Sequence, residues 1–186
     1  MSTQSTPARR AELTTEQLES YEHDGFLVIE NLISPEELAA LHQRQYEYTH
    51  GGRDTSALTI QLEPRIQRGE LKVEHPGDGI RKIDGLLESD DLFHRLGTHP
   101  SIVGVLKQIL GPDIKLYRNT LLFKPPRVGS AKGMHQDSPY WPSSRWNCVR
   151  AGSRWMPPRL RTAAWGLYPA GTCEGRYHTN PSPMIT

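Results

Sequence analysis

The chain has 186 residues, 35% of them hydrophobic, with 22 Lys and Arg against 21 Asp and Glu for a formal charge of +1. That length suits one domain with a real core rather than two, and the near-neutral balance excludes a global basic footprint for nucleic acid. No run of 18 apolar residues is present, so no membrane span is expected.

The stretch Met1 to Arg10 is rich in Ser, Thr, Pro and Arg and has no apolar core of a secretory signal. Residues 1–12 therefore read as a disordered leader, with a cytoplasmic location as the expectation. Thr14-Thr15-Glu16-Gln17 has the pattern of a capping box, and the spacing predicts a short helix to about His23 that Asp24-Gly25 breaks. Phe26 to Ile29 follows as a short buried strand. Ser34-Pro35-Glu36-Glu37 repeats the capping pattern with Pro at the first helical position. It predicts a helix that turns Leu38 and Leu41 to the core and stops at Gly51-Gly52. Arg53 to Gly79 is polar and irregular, and reads as loop with a short helix at most. Ile80 to Ile83 is a short strand, Asp90 to Leu96 a helical turn or two. Pro100 to Leu110 is a firmer helix whose apolar positions Ile102, Val103, Leu106, Ile109 and Leu110 follow a 3–4 spacing. Ile114 to Phe123 has the composition of the best strand in the chain, ended by Lys124-Pro125-Pro126.

Composition changes near Pro142. Residues 1–142 carry 16 Lys and Arg against 20 Asp and Glu, a net of −4; residues 143–186 carry six Arg, no Lys and one acid, Glu174, a net of +5. Three of the four Trp and both cysteines, Cys148 and Cys173, also fall in that last piece, and the cysteines have no metal-ligand spacing.

Just before the seam lies Met134-His135-Gln136-Asp137-Ser138-Pro139-Tyr140-Trp141-Pro142. On a strand, side chains alternate faces, so His135 and Asp137 would point the same way. An imidazole and a carboxylate converging on one point make two thirds of a facial site for non-haem Fe(II). A bare His-x-Asp is more often a hydrogen-bonded surface pair, and the neighbouring segments decide between the two.

Four segments in order carry a resemblance to a known family: Tyr21-Glu22-His23-Asp24-Gly25-Phe26-Leu27-Val28-Ile29 before the Ser-Pro-Glu-Glu helix start; Arg81-Lys82-Ile83; Leu121-Leu122-Phe123-Lys124-Pro125-Pro126; and Met134 to Pro142. Over residues 13–142 the chain resembles the phytanoyl-CoA dioxygenase family of Fe(II)/2-oxoglutarate-dependent oxygenases. The resemblance implies an α+β fold, with N-terminal helices in front of the first part of a double-stranded β-helix (jelly-roll) core that is incomplete here. It implies Fe(II) held by His135 and Asp137 plus a distal His, with 2-oxoglutarate as co-substrate and an Arg on its far carboxylate. By position, Lys82 matches a family lysine that helps place the co-substrate, and Thr120 sits where the family lines the pocket. A solvated charge at a strand end is the other reading of Lys82, and plain packing the other reading of Thr120.

The distal His and the Arg belong on late strands, and residues 143–186 have no strand or helix period around Trp146, Trp155 and Trp165. His178 is the one histidine after Pro142, among Tyr177, Thr179, Asn180 and Pro181. We read 143–186 as a non-homologous, disordered tail produced by a frameshift. One base lost in the codon of Pro142 lets the following codons be re-read as family-like strings, and the unique codons of Trp155-Met156 then yield an Asp. The alternative is a natural Arg/Pro-rich tail.

The expected function is oxygenation of a small organic molecule or acyl thioester, impaired in this chain by the missing distal His and Arg. Expected partners are a small-molecule substrate, with no nucleic acid and no membrane. Two other readings stay open: a non-catalytic binding module with a basic Trp/Arg-rich tail, and an unstable fragment with unpaired strand edges.

Overall fold

The computed structural model describes residues 12–131, 149–153 and 184–185. Among these, helices and two small three-stranded sheets alternate along the chain. The mixed α+β class that the resemblance implies is therefore present.

The first helix, α1 (Thr15–Asp24), starts on a complete capping box: Gln17 N–H donates to the Thr14 hydroxyl at 3.2 Å, and Thr14 N–H donates to the Gln17 side chain at 3.0 Å. Gly25 ends it at φ 77°, a left-handed conformation that needs no side chain, with its N–H on the Tyr21 carbonyl. The short strand β1 (Phe26–Leu27) follows, and α2 (Pro35–His50) repeats the capping box with Ser34 and Glu37. Each such cap stabilises its helix by about 1 kcal/mol. Leu41 on α2 is buried and Leu38 half-buried, as the spacing requires.

Between Arg53 and Gly79 the chain is less irregular than its composition indicates. It holds a strand, β2 (Thr59–Leu62), one turn of helix, α3 (Pro64–Gln67), and a 3₁₀ turn (Pro76–Gly79). The strand β3 (Ile80–Asp84), the short helices α4 (Leu86–Ser89) and α5 (Asp91–Gly97), α6 (Pro100–Leu110) and β4 (Thr120–Leu122) complete this part. The strand expected over Ile114 to Phe123 is thus three residues long. The reason lies in its partner. β3 pairs Lys82 with Leu122 and Asp84 with Thr120, then turns into α4 at Gly85 (φ 93°), so the residues ahead of Thr120 lie beyond its register. α6 runs over the expected residues, but its buried positions are Ser101 and Val105, with Leu106 and Ile109 packed beside Val105. The buried line is therefore shifted from the apolar set read in the sequence.

β2, β3 and β4 form one antiparallel sheet with β3 in the centre. Ile60, Ile83 and Leu121 stand in register across it and face the main core of Leu41, Tyr48, Ile80, Leu86 and Phe93. Each fully buried side chain of this kind contributes roughly 1.5–3 kcal/mol. The opposite face carries Gln61, Lys82, Asp84 and Thr120. A second, parallel sheet joins β1 to β6 (Met184–Ile185) and β6 to β5 (Arg150–Ala151). A smaller core of Tyr21, Leu27 and Val105 forms near β1. No helix among the described residues is long and apolar enough to cross a membrane.

Candidate active site

The polar face of the β2–β3–β4 sheet brings together the two expected co-substrate residues. Lys82 and Asp84 are two apart on β3, and their antiparallel partners Leu122 and Thr120 are two apart on β4, so all four point the same way. Asp84 is the centre. Its Oδ1 accepts from the Thr120 hydroxyl at 2.6 Å and from Arg118 Nε at 3.2 Å. Its Oδ2 pairs with Lys82 Nζ at 2.8 Å and with Arg118 Nη2 at 2.8 Å. Burial acts to raise the Asp84 carboxyl, but the bonds from Lys82, Thr120 and Arg118 outweigh it and hold the group below its ordinary value.

Lys82 is therefore not a solvated charge at a strand end. Its side chain is 22% exposed and that of Asp84 14%. Thr120 does more than fill space, since its hydroxyl fixes the Asp84 carboxylate. Neither Asp84 nor Arg118 was singled out from the residue order. Asp84 could have been found by extending the period of two from Lys82, and Arg118 by the same step back from Thr120. The pairing of β3 with β4, which makes them neighbours, is not written in either strand alone.

The expected metal ligands, His135 and Asp137, lie outside the described residues. Among the described residues no group of three or more His, Cys, Asp and Glu could hold a metal ion. The donor chemistry divides accordingly: His135 and Asp137 offer one imidazole and one carboxylate, donor types that Fe(II) takes, while the described face gathers the Lys82 ammonium, the Arg118 guanidinium and the Thr120 hydroxyl around Asp84.

The approach to His135 is anchored within the described part. The segment after β4 folds back on itself, with Gly129 N–H on the Pro125 carbonyl at 2.9 Å and the Lys124 ammonium on the Ser130 carbonyl. Glu63, 1% exposed at the end of β2, accepts from the Ser130 hydroxyl at 2.7 Å and its N–H at 3.1 Å. A loop five residues ahead of His135 is thereby tied to the central sheet.

A polar depression of about 360 Å³ lies elsewhere, lined by Arg44, Arg53, Asp90, Asp91 and Arg95 among others. Arg44 and Arg53 are already engaged with Asp90 and Glu47 there, so its charges serve the fold.

The family model for phytanoyl-CoA dioxygenase (PhyH) matches residues 21–169, running past Pro142. The chain belongs to the phytanoyl-CoA dioxygenase family. It is 28% identical over 137 residues to an ectoine dioxygenase of Streptomyces avermitilis, covering 73% of this chain and 42% of that protein. It is 31% identical over 130 residues to an ectoine dioxygenase of Bordetella parapertussis, covering 69% and 38%. It is 30% identical over 133 residues to the peroxisomal phytanoyl-CoA dioxygenase of Homo sapiens, covering 70% and 38%. The chain thus spans about two fifths of the length of the relatives it matches.

Proposed function

We propose that this chain carries the first half of a non-haem Fe(II)/2-oxoglutarate-dependent dioxygenase site acting on a small organic molecule or acyl thioester. The observation that carries this reading is the Lys82–Asp84–Thr120 cluster on one sheet face, in a chain of this family. His135 and Asp137 would hold the iron, and the jelly-roll core expected of the family would supply the wall around it. Bound there, Fe(II) with 2-oxoglutarate supplies the oxidising chemistry that places oxygen into a C–H bond.

The chain's own residues do the rest. Lys82 offers ammonium N–H donors to a carboxylate, and Thr120 keeps Asp84, and with it Lys82, in place. Glu63 restrains the loop that leads to His135. After Pro142 the one His is His178, among Tyr177, Thr179, Asn180 and Pro181, and neither it nor any of the six Arg there matches the family's distal His or carboxylate-gripping Arg by motif. Turnover is accordingly proposed to be weak, and the frameshift reading of 143–186 accounts for it.

Anaerobic titration of the full chain with Fe(II) and 2-oxoglutarate tests this reading. The expected result is a weak visible charge-transfer band that disappears in His135→Ala. No band, or a band indifferent to His135, removes the oxygenase reading. A band of full intensity removes the claim of impairment.

A further inference from the structure

The Asp84 carboxylate is held by three side chains at once. Arg118 bonds both oxygens, Thr120 bonds Oδ1, and Lys82 bonds Oδ2. Arg118 and Thr120 together leave the carboxylate no freedom to rotate, so the direction in which it pulls Lys82 is set. A lysine ammonium has three N–H donors. Among the described residues the one ion pair of Lys82 is that with Asp84.

We propose that Asp84 is a positioning residue: locked by Arg118 and Thr120, it aims the Lys82 ammonium so that its remaining donors take a ligand carboxylate. The identity of that ligand as 2-oxoglutarate rests on the function proposed above; the carboxylate-binding role rests on the cluster itself. A long lysine side chain otherwise loses about 2 kcal/mol of rotamer freedom when it is fixed by a ligand. Asp84 meets that cost when the chain folds, before the ligand arrives.

Two accounts of Asp84 predict opposite signs. If Asp84 only competes with the ligand for Lys82, removing its charge frees the lysine, makes the face more positive and tightens anion binding. If it positions Lys82, removing it weakens binding in spite of the added positive charge. Asn at this position cannot accept on both of its terminal atoms, and its amide N–H₂ would face Lys82 or Arg118.

The test uses the metal-free full chain and glutarate, a dicarboxylate that binds without iron chemistry. Binding is followed by NMR at the backbone amides of residues 80–84 and 120–122. The wild-type chain is expected to bind glutarate, Asp84→Asn to bind it about tenfold more weakly, the scale of one charge-assisted hydrogen bond. In a Lys82→Met background, Asp84→Asn should have no further effect. Absence of glutarate binding in the wild type, unchanged or tighter binding in Asp84→Asn, or an equal loss in the Lys82→Met background each overturns the proposal. The iron titration decides the oxygenase reading separately: a missing charge-transfer band alongside the expected glutarate pattern removes the catalysis and leaves the positioning role standing.

Discussion

Asp84 and Asp90 are six residues apart, and both are enclosed carboxylates bonded by arginine, yet they serve different ends. Asp90 caps α5: its Oδ1 accepts from Leu92 N–H at 2.8 Å and Phe93 N–H at 3.3 Å. Its Oδ2 accepts from the Tyr48 hydroxyl at 3.0 Å and from Arg44. Two of its four hydrogen-bond donors are backbone, and the residue is 5% exposed beside the core of Tyr48, Leu86 and Phe93. The Asp84 carboxylate is held by the side chains of Lys82, Arg118 and Thr120, on the polar side of a sheet. A carboxylate bonded to a helix start fastens the fold. A carboxylate bonded to side chains on a sheet face arranges those side chains. Charge and burial alone do not separate the two; the identity of the donors does.

The largest effect should come from Asp90→Ala. It removes an N-cap and leaves Arg44 and the Tyr48 hydroxyl without their partner, so a loss of about 3 kcal/mol in urea denaturation is expected. Asp84→Ala should cost about 1 kcal/mol while weakening carboxylate binding about tenfold. If the two variants lose the same stability, the distinction between them fails.

Acid should act on both. At Asp90 burial pushes the carboxyl up, but the bonds from Arg44, Tyr48 and the α5 backbone hold it below its ordinary value, as happens at Asp84. The folded chain therefore binds these protons less readily than the unfolded chain. Their contribution is complete above the unfolded carboxylate range, about pH 4, and is lost as the pH falls through the lower folded values. Stability of the wild type should fall steeply below about pH 4, and Asp90→Asn should flatten that fall. An acid limb of unchanged slope would show that Asp90 is not the linked group.

The smallest effect is expected at Tyr21. Its hydroxyl is buried without a partner among the described residues, and burial pushes the phenol up to about 12. Tyr21→Phe removes an unsatisfied group and should leave stability unchanged or raise it by up to about 1 kcal/mol. A clear loss would reveal a partner for the hydroxyl.

Much of the local structure was legible in residue order. Both capping boxes form as written, because Thr14 with Gln17 and Ser34 with Glu37 satisfy each other without help from elsewhere. Pro100 and Gly111 bound α6 for the same local reasons. What failed was decided at a distance. Thr59-Ile60-Gln61-Leu62 is too short and polar to stand out as a strand, and becomes one because Ile60 meets Ile83. Ile114 to Asn119 has strand composition but lies beyond the register that β4 shares with β3, which turns away at Gly85. The site divides in the same way. Lys82 and Thr120 were reached through the family pattern, whereas Asp84 and Arg118 needed the register of β3 on β4.

Succinate release from 2-oxoglutarate by the full chain with Fe(II) in air, beside His135→Ala, tests the central claim most directly. A slow release abolished by the substitution is the predicted result. Release at the same rate in His135→Ala, or none in either protein, would contradict it.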